Sequence, residues 1–234
     1  MKSSRHHVII TGTGRAGTTL LLQLLMRLGM DTGYTEESFE ISMDSNAGSE
    51  WDISRDDAPY IVKSPWLCDT LEEMIQQHDI AIDHAIIPVR NLHDAAESRR
   101  AVVRRAPPGT NHGLPGGLMY TDMADLQEAL LAAKQMKLLE TLAKYDIEHS
   151  LLYFPKLALD SDYLLQKLTA VFGSLDPVEF LNAFNKTSRP GMIHNFTRDA
   201  KFRNFIRDAK FHNFPRDAKS DVLEAETLAF AKQA

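Results

Sequence analysis

His7-Val-Ile-Ile-Thr-Gly-Thr-Gly-Arg-Ala-Gly-Thr-Thr-Leu-Leu-Leu22 is the stretch on which the fold turns. A short apolar run, rich in β-branched residues, passes into three closely spaced glycines and then straight into a leucine-rich helical pattern. That is a buried strand, a tight turn and a helix in immediate succession. Gly12, Gly14 and Gly17 let the backbone turn sharply and come close to a ligand. Free N–H groups at the helix start, reinforced by its dipole, form a cradle for a phosphate-like anion. Thr18 and Thr19 add hydroxyl donors in the first turn. The spacing Gly12-x4-Gly17 is that of a Walker loop, but Thr18 stands where that loop has its lysine, and the nearest cation is Arg15 inside the turn.

Outward from the loop, short apolar runs alternate with longer helical patterns, which predicts an α/β fold with a parallel sheet. Strands are expected at His7–Thr11, Tyr60–Lys63, His84–Val89 and Ser150–Phe154. Helices are expected at Thr18–Leu28, Leu67–Gln77, Leu92–Arg104, Thr121–Lys144, Tyr163–Phe172 and Pro177–Phe184. Ala106–Gly117 holds three prolines and four glycines and reads as a loop able to wall a substrate site. The polar, acidic stretch Thr32–Asp57, with Trp51 inside it, reads as irregular structure.

The chain of 234 residues carries a net charge of −6, which argues against a general nucleic-acid binder and leaves room for a local basic pocket. The single cysteine, Cys68, excludes an internal disulfide and a cysteine-cluster zinc site, and the nine histidines show no ligand spacing, so no metal is expected. Val8-Ile9-Ile10 is too short for a signal peptide, and Leu20–Met30, broken by Gln23 and Arg27, is too short to span a bilayer. A cytoplasmic protein without a membrane span is the expectation. A period-nine repeat begins at Asn195, Asn204 and Asn213, each copy reading Asn-Phe-x-Arg-Asp-Ala-Lys. Residues 195–220 hold seven basic and three acidic side chains, a local charge of +4, and their phenylalanines form no helical stripe. Residues 1–194 are therefore read as the α/β domain, 195–220 as a repeat segment and 221–234 as a helical tail.

Two further strand ends carry cations: Tyr60-Ile-Val-Lys63 and His84-Ala-Ile-Ile-Pro-Val-Arg90. Ligands of open α/β sheets sit at the carboxyl ends of the strands. A Mg²⁺-dependent kinase or ATPase needs an Asp or Glu at such an end. Lys63 and Arg90 suit a strongly anionic ligand neutralised directly.

Taken in order, these segments resemble the sulfotransferases that use 3′-phosphoadenosine 5′-phosphosulfate (PAPS). Gly12-Thr-Gly-Arg-Ala-Gly-Thr-Thr is similar to their 5′-phosphosulfate loop, in the branch where Arg replaces the usual Lys. Val89-Arg90-Asn-Leu-His-Asp-Ala-Ala-Glu-Ser98 resembles the 3′-phosphate motif, and Lys63-Ser-Pro the segment between the two. Ser150-Leu-Leu-Tyr-Phe through Phe172-Gly resembles the family's late strand and helix, so the likeness spans residues 7–174. Ser188-Arg189-Pro-Gly191 is the nearest approach to the late Arg-Lys-Gly motif.

The resemblance implies a P-loop NTPase-like three-layer fold, a central and mostly parallel sheet flanked by helices. It implies metal-independent transfer of a sulfuryl group from PAPS to a hydroxyl acceptor, carbohydrate or small molecule. Gly14, Arg15, Ala16, Gly17, Thr18 and Thr19 would hold the 5′-phosphosulfate, and Arg90 and Ser98 the 3′-phosphate. Lys63 and Arg15 would stabilise charge on the transferring group. The histidine that serves as base in the cytosolic branch is replaced here by Pro65. Gly33-Tyr-Thr-Glu36-Glu37-Ser resembles the Gly-Glu-Glu-Thr segment whose Glu is the base in the protein-tyrosine branch. Glu36 is thus the first candidate and Glu37 the second, with Glu40 and His112 behind them. Two alternatives stay open: a P-loop small-molecule kinase using ATP, and a nucleotide-binding protein without turnover.

Overall fold

A computed structural model describes residues 4–41, 47–106, 114–194 and 196. The repeat segment 195–220 (Phe196 apart), the tail 221–234 and His112 lie outside the described residues.

Four strands, β1 (Arg5–Ile10), β2 (Ile61–Lys63), β3 (Ile80–Val89) and β4 (His149–Tyr153), form one sheet in the order β2-β1-β3-β4. Every pairing is parallel, with Ile10 opposite Lys63 on one side and Ile86 on the other, and Val89 opposite Tyr153. Parallel strands need crossovers, and helices supply them on both faces. Alternation along the strands sends Val8, Ile10, Ile61, Ile86 and Leu152 to one face. There they pack on α1 (Thr18–Arg27), α6 (Ser161–Phe172) and α7 (Pro177–Thr187) through Leu21, Leu25, Leu168 and Phe180. Ile9, Val62, Ala85 and Ile87 point the other way, onto α2 (Leu67–Gln77) and α4 (Gln127–Lys144) through Leu71, Leu138 and Leu142. The result is the expected three-layer α/β fold, a central parallel sheet flanked by helices. α3 (Leu92–Arg105) and the four-residue α5 (Lys156–Leu159), which the sequence pattern did not mark, complete the set.

The boundaries differ from expectation in two informative places. β3 starts at Ile80, not His84, because Asp83, which interrupts the apolar run, is held on the strand by His6 Nδ1 (2.6 Å) and the Tyr60 hydroxyl (3.0 Å). α4 starts at Gln127, not Thr121: the Thr121 hydroxyl accepts from Met123 N (2.9 Å), a local turn that competes with helix. β1 feeds α1 and β2 on one side while β3 feeds β4 on the other, so the crevice between the ends of β1 and β3 is the topological switch point where ligands of such sheets bind. No helix among the described residues is long and apolar enough to cross a membrane.

Candidate active site

The glycine loop leaves β1 at that switch point. Thr11 N donates to Ile86 O (3.1 Å), tying the start of the turn to β3. Gly14, Arg15 and Gly17 all take left-handed backbone, φ 68°, 58° and 92°. For Arg15 that conformation is strained, a frequent mark of a loop shaped for a ligand. α1 has Gly17 at its N-cap and receives no side-chain cap, so the first-turn N–H groups are left for a ligand.

The loop forms one wall of a cavity of about 590 Å³, a size suited to a small-molecule or cofactor site. Gly14, Arg15, Gly17, Thr18, Thr19, Lys63, Arg90 and Ser98, drawn from four separate stretches of sequence, all line it. Ala16 is buried behind the loop. Arg15 Nε donates to Ser98 Oγ (3.0 Å), joining the loop to the buried face of α3. Arg90 donates through Nη1 to Arg15 O (3.0 Å) and through Nη2 to His194 O, with its guanidinium 4.9 Å from the centre of the Phe154 ring. Arg189, Ile193 and His194 thereby close the far side, so the late segment that includes Ser188-Arg189-Pro-Gly191 does reach the cavity.

These cations strain one another. Burial, and then repulsion from Arg99, Arg90 and Arg105, push the Arg15 pKa down to about 10. Burial lowers Arg90 as well, with Asp94 opposing. His194 is lowered by burial and then by Arg105, Arg90 and Arg15. All of these shifts favour the neutral form, as expected of a site that gathers positive charge before its anion arrives.

At the end of β2, Lys63, 1% exposed, donates to Gly48 O and lies 3.4 Å from Glu50 Oε1. Burial lowers its pKa while Glu50 pulls it back up. Glu50 is the carboxylate, among the described residues, that lines the cavity. Glu36 is not brought there. It bonds Arg27 Nε (2.9 Å), nine residues into α1 and so about 14 Å along the axis from the loop. That contact holds its carboxyl below the usual range. Glu37 is exposed beside Thr35, and Glu40 is likewise exposed, its carbonyl accepting from Ser49 Oγ (2.6 Å).

Sequence reasoning also missed Arg99. It is 4% exposed and lines the cavity. It donates to Gly117 O (2.6 Å), to Thr13 O and to Met119 Sδ (3.2 Å), while its Nε is buried without a partner. Burial takes its pKa down to about 10. In the sequence it sits among Arg100, Arg104 and Arg105 on α3, and nothing in the sequence distinguishes it from those neighbours. Glu50 had no signal either, being one of several acidic residues in an irregular stretch. Among the described residues no group of three His, Cys, Asp or Glu side chains could hold a metal ion.

No protein-family model and no curated protein matches the sequence. Among solved structures, the chain is similar to the sulfotransferase domain from the Synechococcus PCC 7002 olefin synthase, with 15% identity and a TM-score of 0.46. That superposition covers 98% of this chain and 96% of the other.

Proposed function

We propose that the protein is a sulfotransferase, moving a sulfuryl group from PAPS to a hydroxyl of a carbohydrate or small molecule. The observation that carries this is the meeting of Arg15, Lys63, Arg90 and Arg99 around one cavity, with Ser98 and an uncapped helix N-terminus. The carboxyl ends of β2 and β3 offer cations where Mg²⁺-assisted phosphoryl transfer calls for a carboxylate. An anion with phosphate at both the 5′ and 3′ positions fits such a set: the loop amides, Thr18 and Thr19 would take one end, Arg90 and Ser98 the other.

Each residue then has a task. The acceptor oxygen attacks sulfur, the bond from sulfur to the bridging phosphate oxygen breaks, and the acceptor proton leaves to a base. In this cavity Glu50 replaces Glu36 and Glu37 as the proposed base. Lys63 and Arg15 are fixed cations beside the bridging oxygen, where charge grows as the bond breaks. Residues 1–194 would carry this activity, with 195–220 and 221–234 as appendages.

The test is twofold. Adenosine 3′,5′-bisphosphate should raise the melting temperature without added metal, and AMP should do so less. Labelled sulfate should pass from PAPS to a hydroxyl acceptor in a panel of glycans, phenols and alcohols. Stabilisation by Mg-ATP alone would refute the donor assignment, and bisphosphate binding without any transfer would point to a non-catalytic nucleotide-binding protein.

A further inference from the structure

Arg99 is an unusual residue to bury. No carboxylate lies within ion-pair distance of it among the described residues, and one of its donors is left unpaired. A buried cation in that state is costly, and an apolar side chain of similar volume would be tolerated more easily in the same space. Its bonds explain its place. One Nη reaches Gly117 O, in the segment whose Leu114, Leu118 and Met119 also line the cavity. The other Nη reaches Thr13 O in the glycine loop. The planar guanidinium thus spans two backbones that no strand pairing or helix joins, a reach that suits Arg and not the point charge of Lys.

Both ends of this span are built closely around it. A Cβ on Gly14 would lie 2.8 Å from the same Nη2, so the loop backbone rests directly on the guanidinium. On the other side Met119 is gripped from α4: Gln127, fully buried, accepts from Met119 N (2.7 Å) and donates to Met119 O (2.9 Å). The 117–119 wall is therefore held from α4 by Gln127 and from α3 by Arg99, and through Arg99 it is joined to the loop.

We infer that Arg99 is a positioning residue that couples the anion loop to the 114–119 wall, so that ligand bound on the loop also orders the acceptor side. The names of the two sides rest on the proposed sulfotransferase reading; the coupling itself does not. Hydrogen exchange of the full chain tests it. In ligand-free Arg99→Gln, amides of 12–17 and 114–119 should both exchange at least tenfold faster than in wild type, while those of Leu131–Leu142 in α4 keep the wild-type rate. Adenosine 3′,5′-bisphosphate should protect 12–19 and 114–119 together in wild type, and only 12–19 in the variant. Arg99→Lys, keeping the charge but able to reach one carbonyl at a time, should restore the slow exchange of one segment only. It takes over the test if Arg99→Gln does not fold. Acceleration of one segment alone in Arg99→Gln, of neither, or of α4 as well would overturn the coupling. If the bisphosphate protects nothing, the donor assignment falls, and the ligand-free comparison still decides on Arg99.

Discussion

Replacing Arg90 by Ala separates recognition of the 3′-phosphate from construction of the loop. Arg90 does two things in the structure: it faces the cavity as a cation, and its Nη1 holds Arg15 O at 3.0 Å. The second task serves every ligand of the loop. Losing one such bond is worth roughly 1 kcal/mol, so AMP should bind about fivefold more weakly. The first task concerns only a ligand with a 3′-phosphate. A charge-assisted contact contributes roughly 1.5–3 kcal/mol, a further loss of about 10- to 150-fold. Adenosine 3′,5′-bisphosphate should therefore lose about 50-fold or more, and the ratio of its loss to that of AMP isolates the 3′-phosphate. Calorimetric titration of both ligands against wild type and variant gives the four constants needed. Equal losses for the two ligands would refute the assignment and leave Arg90 as scaffold for the loop and for His194.

Glu50→Gln should keep or tighten bisphosphate affinity, since it removes a negative charge beside Lys63, and lower turnover of a neutral alcohol by roughly a hundredfold, with recovery on a nitrophenol already ionised at the assay pH. Lys63→Ala should be slow with both acceptors, and Glu36→Gln should turn over like wild type, since that carboxylate sits on Arg27. Gly14→Ala forces a side chain into left-handed backbone at a cost of roughly 1–2 kcal/mol and presses on Arg99, so both melting temperature and bisphosphate affinity should fall. Bisphosphate affinity should be flat from about pH 7, above the second phosphate pKa of about 6, to about pH 9, and decline as pH rises through about 10, where Arg15 and Arg99 release their protons in the folded state. Over that range the unfolded chain, whose guanidinium groups keep their ordinary, higher pKa, still holds those protons, so these two residues make folding more favourable as pH rises. Lost affinity accompanied by a lost fold would therefore not have the arginines as its cause.

The loop, the sheet and three of the cations were legible because they sit where local pattern and fold geometry coincide. Lys63 and Arg90 close apolar runs, and a parallel sheet delivers such residues to one edge whatever the rest of the chain does. The carboxylate was not legible, because no periodicity governs the stretch between α1 and β2. Glu36 follows the helix closely in sequence, but α1 runs away from the loop and carries its C-terminal end, and Glu36 with it, to the other side of the layer. Glu50 reaches the cavity only because its neighbourhood folds back along β2, with Trp51 N bonded to Lys63 O (3.1 Å). Arg99 was hidden for another reason. On a helix with so many arginines, burial of one is decided by what packs across from it, here Thr13 and Gly117, each distant in sequence.

The charge balance of the cavity links stability to function. Arg15, Lys63, Arg90 and Arg99 share one small volume with Glu50, and burial or mutual repulsion drives every one of the four toward neutrality. The free protein therefore carries an electrostatic cost that a polyanion would offset, and a neutral or singly charged analogue would not. Ligand that binds only the folded state stabilises it by about 2.7 kcal/mol at a hundred times its Kd. Because the offset comes from charge, added salt should raise the melting temperature of the free protein and shrink the shift that bisphosphate produces. A bisphosphate shift unchanged between low and high salt would mean that shape, and not charge, selects the ligand.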